Sequence, residues 1–208
     1  TLAYLAEAAK LNKKILFTCT KKQGTEVTKY YAEECKQYYV NFRWLGGMLT
    51  NWSTISNSIK KLDDLELTIK ETELNSTHTK KEKLNLNRKY NKLHSVLSGI
   101  RNISSLPDIL FVIDTKREEI AIKEANKLGI TVIAIADTNS NTEGIDFIIP
   151  GNDDSRSSIN FFLKYTSMAI NHGKSQTTTT KDETTTKEKN VKPLPNKKNK
   201  NLSTVKSN

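Results

Sequence analysis

The sequence predicts an α/β fold: a parallel sheet with helices on both faces and a helical hairpin inserted between two of its strands. Three observations lead there. Short β-branched runs alternate with stretches of helical spacing over residues 2–52 and 101–173. Several of those runs are continuously apolar, as strands covered on both faces of a parallel sheet must be. Between Trp52 and Leu106 the strand signal stops, and two long apolar stripes at helical spacing replace it.

In chain order, residues 2–11 read as a helix and 15–20 as the first strand, followed by a helix over 25–35 and a second strand over 38–41. In the insertion, Ile55, Ile59, Leu62, Leu65 and Ile69 form one stripe, and Leu86, Tyr90, Leu93, Leu97 and Ile100 form the other. The polar residues 75–79 between them suit a turn, so residues 53–100 should fold back as an antiparallel α-helical hairpin, a coiled-coil protrusion. Residues 109–114, 131–137 and 147–149 complete five strands. A helix over 117–128 presents Ile120, Ala121, Ala125 and Leu128, and a last helix over 155–170 stops near Gly173, which reads as a C-cap. These elements give an α/β domain of residues 1–52 and 101–173.

Residues 174–208 differ in kind. They carry nine Lys against three acids, two Thr runs and almost nothing apolar, the composition of a disordered basic tail. The whole chain of 208 residues has a formal charge of +10, which favours polyanionic partners such as nucleic acid. A membrane span is not expected, because the longest apolar runs hold five residues against the roughly 18–20 that a bilayer requires. Cys19 and Cys35, alone and in apolar segments, read as reduced core residues. Abundant Lys, Asn, Ile and Thr mark an A/T-rich gene, as in an organelle or a low-GC bacterium.

Enzyme chemistry finds little support. There is no G-x-G-x-x-G after the first strand and no G-x-x-x-x-G-K-[ST] anywhere, so no nucleotide phosphate cradle is specified. Asp114 and Asp137 end strands and could serve a doubly wound phosphotransfer or nucleotide-dependent enzyme, but the first strand ends in Thr18, Cys19, Thr20, Lys21, Lys22 with no acid to complete a magnesium site. The three His have no nucleophile at a useful spacing. No cofactor, metal or small-molecule substrate is expected.

The densest signal is residues 41–52, which pair two glycines with a cation, two amides and both tryptophans of the chain. Gly46 and Gly47 allow a tight turn or a close backbone approach. Asn41, Arg43 and Asn51 can donate to phosphates or ribose hydroxyls. Trp44 and Trp52 either pack the base of the hairpin or stack on a nucleic acid, and packing suits their neighbours Leu45, Met48 and Leu49 better. Lys21 and Lys22 at a strand end, and Lys60 and Lys61 on the hairpin, are further candidate contacts.

The run VNFRWLGGMLTNWSTISNSI over residues 40–59 closely resembles the signature of the S-two family of small-subunit ribosomal proteins. LPDILFVID (106–114), IAIKEANKLG (120–129), ADTNS (136–140) and IPGNDD (149–154) resemble its other blocks in the same order. The resemblance implies a flavodoxin-like three-layer α/β/α domain, no enzymatic activity, and a structural role in the small ribosomal subunit, with small-subunit rRNA and neighbouring ribosomal proteins as partners. Ser53, after Asn51 and Trp52, looks more like plastid members of the family than bacterial ones.

Overall fold

A computed structural model of the chain describes residues 1–74 and 79–188. Its centre is a five-stranded, all-parallel sheet in the order β2-β1-β3-β4-β5, where β1 is Ile15–Thr18, β2 Tyr38–Val40, β3 Ile109–Ile113, β4 Thr131–Ala136 and β5 Phe147–Pro150. This is the flavodoxin-like strand order. Strand periodicity divides the core in two. Ile15 and Phe17 of β1, Ile109, Phe111 and Ile113 of β3, and Ile133 and Ile135 of β4 face one layer, made by α1 (Leu2–Lys10), α2 (Thr25–Glu34) and α6 (Arg156–Glu188). Leu16, Val40, Leu110, Val112, Val132 and Ala134 face the other, made by α5 (Glu119–Lys127) and the root of the hairpin. Cys19 and Cys35 are buried free thiols in the first layer.

The hairpin helices are α3 (Trp52–Leu74) and α4 (Lys80–Leu97). Ile55, Ile59 and Leu62 of α3 and Leu97 of α4 are buried against the sheet, whereas Leu65, Ile69, Leu86, Tyr90 and Leu93 are only half-buried, as in two helices that cover each other beyond the domain. Thr79 starts α4 with a capping box: its backbone N–H donates to Glu82 Oε2 at 2.9 Å and its Oγ1 accepts from Glu82 N at 3.4 Å. The other residues of the expected turn, 75–78, lie outside the described residues. At the root, Arg101 donates from Nε to Asp63 at 2.6 Å and pairs with Glu66 at 2.6 Å.

Two expectations need correction. The helix α6 does not stop at Gly173 but continues to Glu188, across the boundary expected at 174. Gly173 is a contact rather than a cap: a Cβ there would lie 2.0 Å from the Ala6 carbonyl oxygen of α1. Lys174 likewise belongs to the folded unit, since its Nζ donates to the carbonyls of Cys35 at 2.7 Å and Lys36 at 3.2 Å, at the end of α2. Residues 189–208 lie outside the described residues. In α5, Ile120 and Leu128 are exposed, and the buried positions are Ala121, Ile122, Glu124 and Ala125. The buried face is therefore rotated from the expected stripe, and it contains a carboxylate.

Candidate nucleic-acid interface

That carboxylate organises the loop between β2 and α3. Glu124 accepts from Trp44 Nε1 (3.2 Å), from the backbone N–H groups of Gly47 (2.7 Å), Leu49 (2.9 Å) and Thr50 (3.1 Å), and from Thr50 Oγ1 (3.1 Å). Burial pushes its pKa up, but the donors from Thr50, Leu49, Trp44 and Gly47 outweigh this and hold it below the usual carboxylate range. Three converging N–H groups make a nest of the kind that binds anions, and here the anion is part of the chain. Of the glycine pair, Gly47 gives its amide to Glu124.

Gly47 has φ +83°, the left-handed region that glycine alone adopts without strain, while a Cβ at Gly46 would meet nothing within 4 Å. The pair thus has one constrained member. Gly47→Val is expected to cost more than about 2 kcal/mol, because its branched Cβ also crowds Asn51, and Gly46→Ala to stay within about 0.5 kcal/mol. Urea midpoints of the two variants check this, and equal losses would contradict it.

The other loop residues divide by role. Trp44 and Trp52 are half-buried against the second core layer, which decides for packing. Asn41 Nδ2 donates to the Thr25 carbonyl at 2.9 Å, holding α2 to the loop. Asn51 precedes α3, and its Oδ1 accepts from Thr54 Oγ1 at 2.9 Å and Ser53 Oγ at 3.3 Å. Each amide thus has an internal partner, Asn41 through Nδ2 and Asn51 through Oδ1. Arg43 is exposed, and so are Lys22, Lys60 and Lys61.

Lys21 is not an outward cation. Its side chain is 12% exposed, and Nζ lies 3.1 Å from Asp114 and from Asp153 and also contacts Asp154. Burial opposes its charge, but the three carboxylates raise its pKa well above the usual lysine value. Carboxylate oxygens of Asp137, Asp153 and Asp154 lie within 4.8 Å of one another, and Lys21 supplies the positive charge beside them. Asp114 is committed to this ion pair, so the phosphotransfer alternative built on Asp114 and Asp137 is not favoured.

A cleft of about 530 Å³ opens where the β1, β2 and β3 loops meet, lined by Thr20, Phe42, Arg43, Trp44, Arg117, Glu118, Ile120 and Ala121. Glu118 is 1% exposed and accepts from Thr20 N (2.8 Å) and Thr20 Oγ1 (2.6 Å). Burial raises its pKa. Thr20 Oγ1 in turn accepts from Arg117 Nε at 2.8 Å. Among the described residues, neither Arg43 nor Arg117 pairs with a carboxylate. Sequence reasoning missed Glu118, Arg117 and Glu124. For Glu124 a signal existed: an acid three residues after Ala121 shares its helix face.

The fold and this site define an α/β scaffold in which the strand-end carboxylate of Asp114 is engaged in an internal ion pair, while exposed cations surround a rigid loop at the root of a protruding hairpin. The family model of ribosomal protein S2 matches residues 1–173. Among curated proteins, the small ribosomal subunit protein uS2 of Mannheimia succiniciproducens is 50% identical over 181 residues, covering 87% of this chain and 74% of that protein. The uS2 of Pseudoalteromonas translucida is 50% identical over 176 residues (85% and 72%), and that of Rickettsia prowazekii 55% identical over 156 residues (75% and 53%). The chain belongs to the ribosomal protein S2 family, which is not an enzyme family. It spans about half the length of the Rickettsia relative. No helix among the described residues is long and apolar enough to cross a membrane.

Proposed function

We propose that this chain is a structural constituent of a small ribosomal subunit, binding small-subunit rRNA and neighbouring ribosomal proteins and so supporting translation. The observation that carries the rRNA contact is the loop after β2: Glu124 fixes its backbone, which leaves Arg43 exposed beside Arg117. A rigid loop of this kind presents cations to phosphates without an ordering cost at binding. Lys22, Lys60 and Lys61 extend the cationic surface to the strand end and the hairpin, and residues 175–208 add eight Lys as a basic extension. The setting we favour is a plastid ribosome, supported by the A/T-rich residue usage and by Ser53. A mitochondrion or a low-GC bacterial cytoplasm fits the residue usage equally, and the relatives described above are bacterial.

Charge reversal at Lys22, Arg43, Lys60 and Lys61 tests the reading. Each lost phosphate contact should reduce the slope of log affinity against log salt by roughly 0.7–0.9, and the variant should leave the small-subunit peak in a sedimentation gradient. Lys21→Met serves as the contrast. It should lower the unfolding midpoint by stranding three carboxylates, with the salt slope unchanged. Normal incorporation and an unchanged slope in the four-site variant would overturn the assignment.

A further inference from the structure

We propose that the cleft between Phe42 and Ile120 takes a single unpaired nucleotide of the bound RNA, its base against the Phe42 ring and its phosphate between Arg43 and Arg117. The inference rests on the rRNA-binding reading and specifies the form of RNA that this part of the surface accepts.

Size comes first. A concave site of about 530 Å³ lies within the range of small-ligand clefts, roughly 300–1,000 Å³. A duplex would present a convex row of phosphates, which a cleft at the strand ends cannot track. One nucleotide turned out of its stack fills such a site.

The chemistry of the lining selects a nucleotide over an apolar side chain. Phe42 and Ile120 are each 59% exposed at the rim, so a planar ring can be covered on entry. Two guanidinium groups share the lining. The carboxylate present, Glu118, is 1% exposed with its oxygen accepting from Thr20, so it presents no open oxygen at the mouth. An aromatic face beside arginines is the combination that holds unstacked bases, whereas an apolar protein segment gains nothing from two arginines.

One of the two arginines is also positioned before any ligand arrives. Arg117 is held through its Nε by Thr20 Oγ1, itself held by Glu118. Arg43 sits between Phe42 and Trp44, whose indole N–H is fixed by Glu124. Glu118 thus positions Arg117 through Thr20, and Glu124 fixes Trp44 beside Arg43.

The test uses the full chain with a small-subunit rRNA transcript, read by affinity and by base-specific chemical probing. Phe42→Tyr keeps an aromatic face and Phe42→Leu removes it. Because Phe42 is exposed, both should retain the wild-type urea midpoint. Stacking is worth about 1–3 kcal/mol per base, so Phe42→Leu should weaken binding about five- to 150-fold. One base protected by wild type and by Phe42→Tyr should become reactive again with Phe42→Leu, and again with Arg117→Gln, while flanking protections persist. If wild type binds rRNA and Phe42→Leu matches it in affinity and probing pattern, the nucleotide site is wrong and the broader reading stands. If wild type fails to bind rRNA, the broader reading itself fails. Binding of millimolar AMP in this cleft that leaves the rRNA affinity and the protection of that base unchanged would identify a free-nucleotide site and overturn the assignment to RNA.

Discussion

Glu124→Ala should destabilise the protein by about 3–5 kcal/mol, the range found when one partner of a buried, charged hydrogen-bond set is removed. Five donors lose their acceptor at once: the N–H groups of Gly47, Leu49 and Thr50, the Thr50 hydroxyl and the Trp44 indole. Leu49 is buried, so water reaches its N–H only if the loop opens. For a domain of this size each kcal/mol shifts the melting midpoint by about 2–4 °C. The urea midpoint should fall with little change in slope. The pH dependence gives a second measurement. Because the folded pKa of Glu124 lies below the unfolded value of about 4.3, its contribution is complete above that value and is lost as pH falls through the folded pKa. Glu124→Gln, which retains one acceptor oxygen, should therefore lag wild type at neutral pH and approach it below about pH 4. A Glu124→Ala loss under about 1 kcal/mol would show that the loop holds its shape without the carboxylate.

The reach and the limit of the sequence are both visible at this residue. The sheet could be read because its strands are local and continuously apolar: residues 109–113 and 131–136 needed only their own composition to declare two covered faces. The hairpin could be read because its stripes keep one period over many turns. The site was read by residue type, which cannot separate the exposed Arg43 from Lys21, paired with three aspartates that lie more than 90 residues away in the chain. Asn41 and Asn51 show the same limit: an amide that suits a ribose hydroxyl also suits a neighbouring hydroxyl or a backbone carbonyl, and only the fold reveals which of these is near. In α5 the stripe through Ile120 and Leu128 was chosen because both are apolar, whereas the helix buries its small face and its one engaged acid.

Gly173→Ala should destabilise the chain by about 1–3 kcal/mol, although the substitution favours a helix in isolation. The competing effects have opposite signs. Replacing an interior helical glycine gains about 1 kcal/mol of helix propensity, and Gly173 lies well inside α6. Against this, the new Cβ would stand 2.0 Å from the Ala6 carbonyl oxygen and 2.8 Å from its carbon, so the backbone of α1 must move. Backbone of one helix against backbone of another has no flexible side chain to absorb the overlap, and interiors packed this densely transmit the shift. The displacement would act on Leu5, Ala8 and Ala9 of α1 and on Ile170 of α6, all buried in the same layer as Cys35. It would also strain the bonds from Lys174 to the end of α2. Cys35 supplies a local readout, because burial pushes its thiol up to about 11 and keeps it unreactive at neutral pH. In a Cys19→Ser background, Gly173→Ala should lower the urea midpoint and speed thiol labelling at Cys35, with Gly173→Val more severe on both measures. A raised midpoint with unchanged labelling would mean that helix propensity governs the position and that α1 and α6 have room to spare.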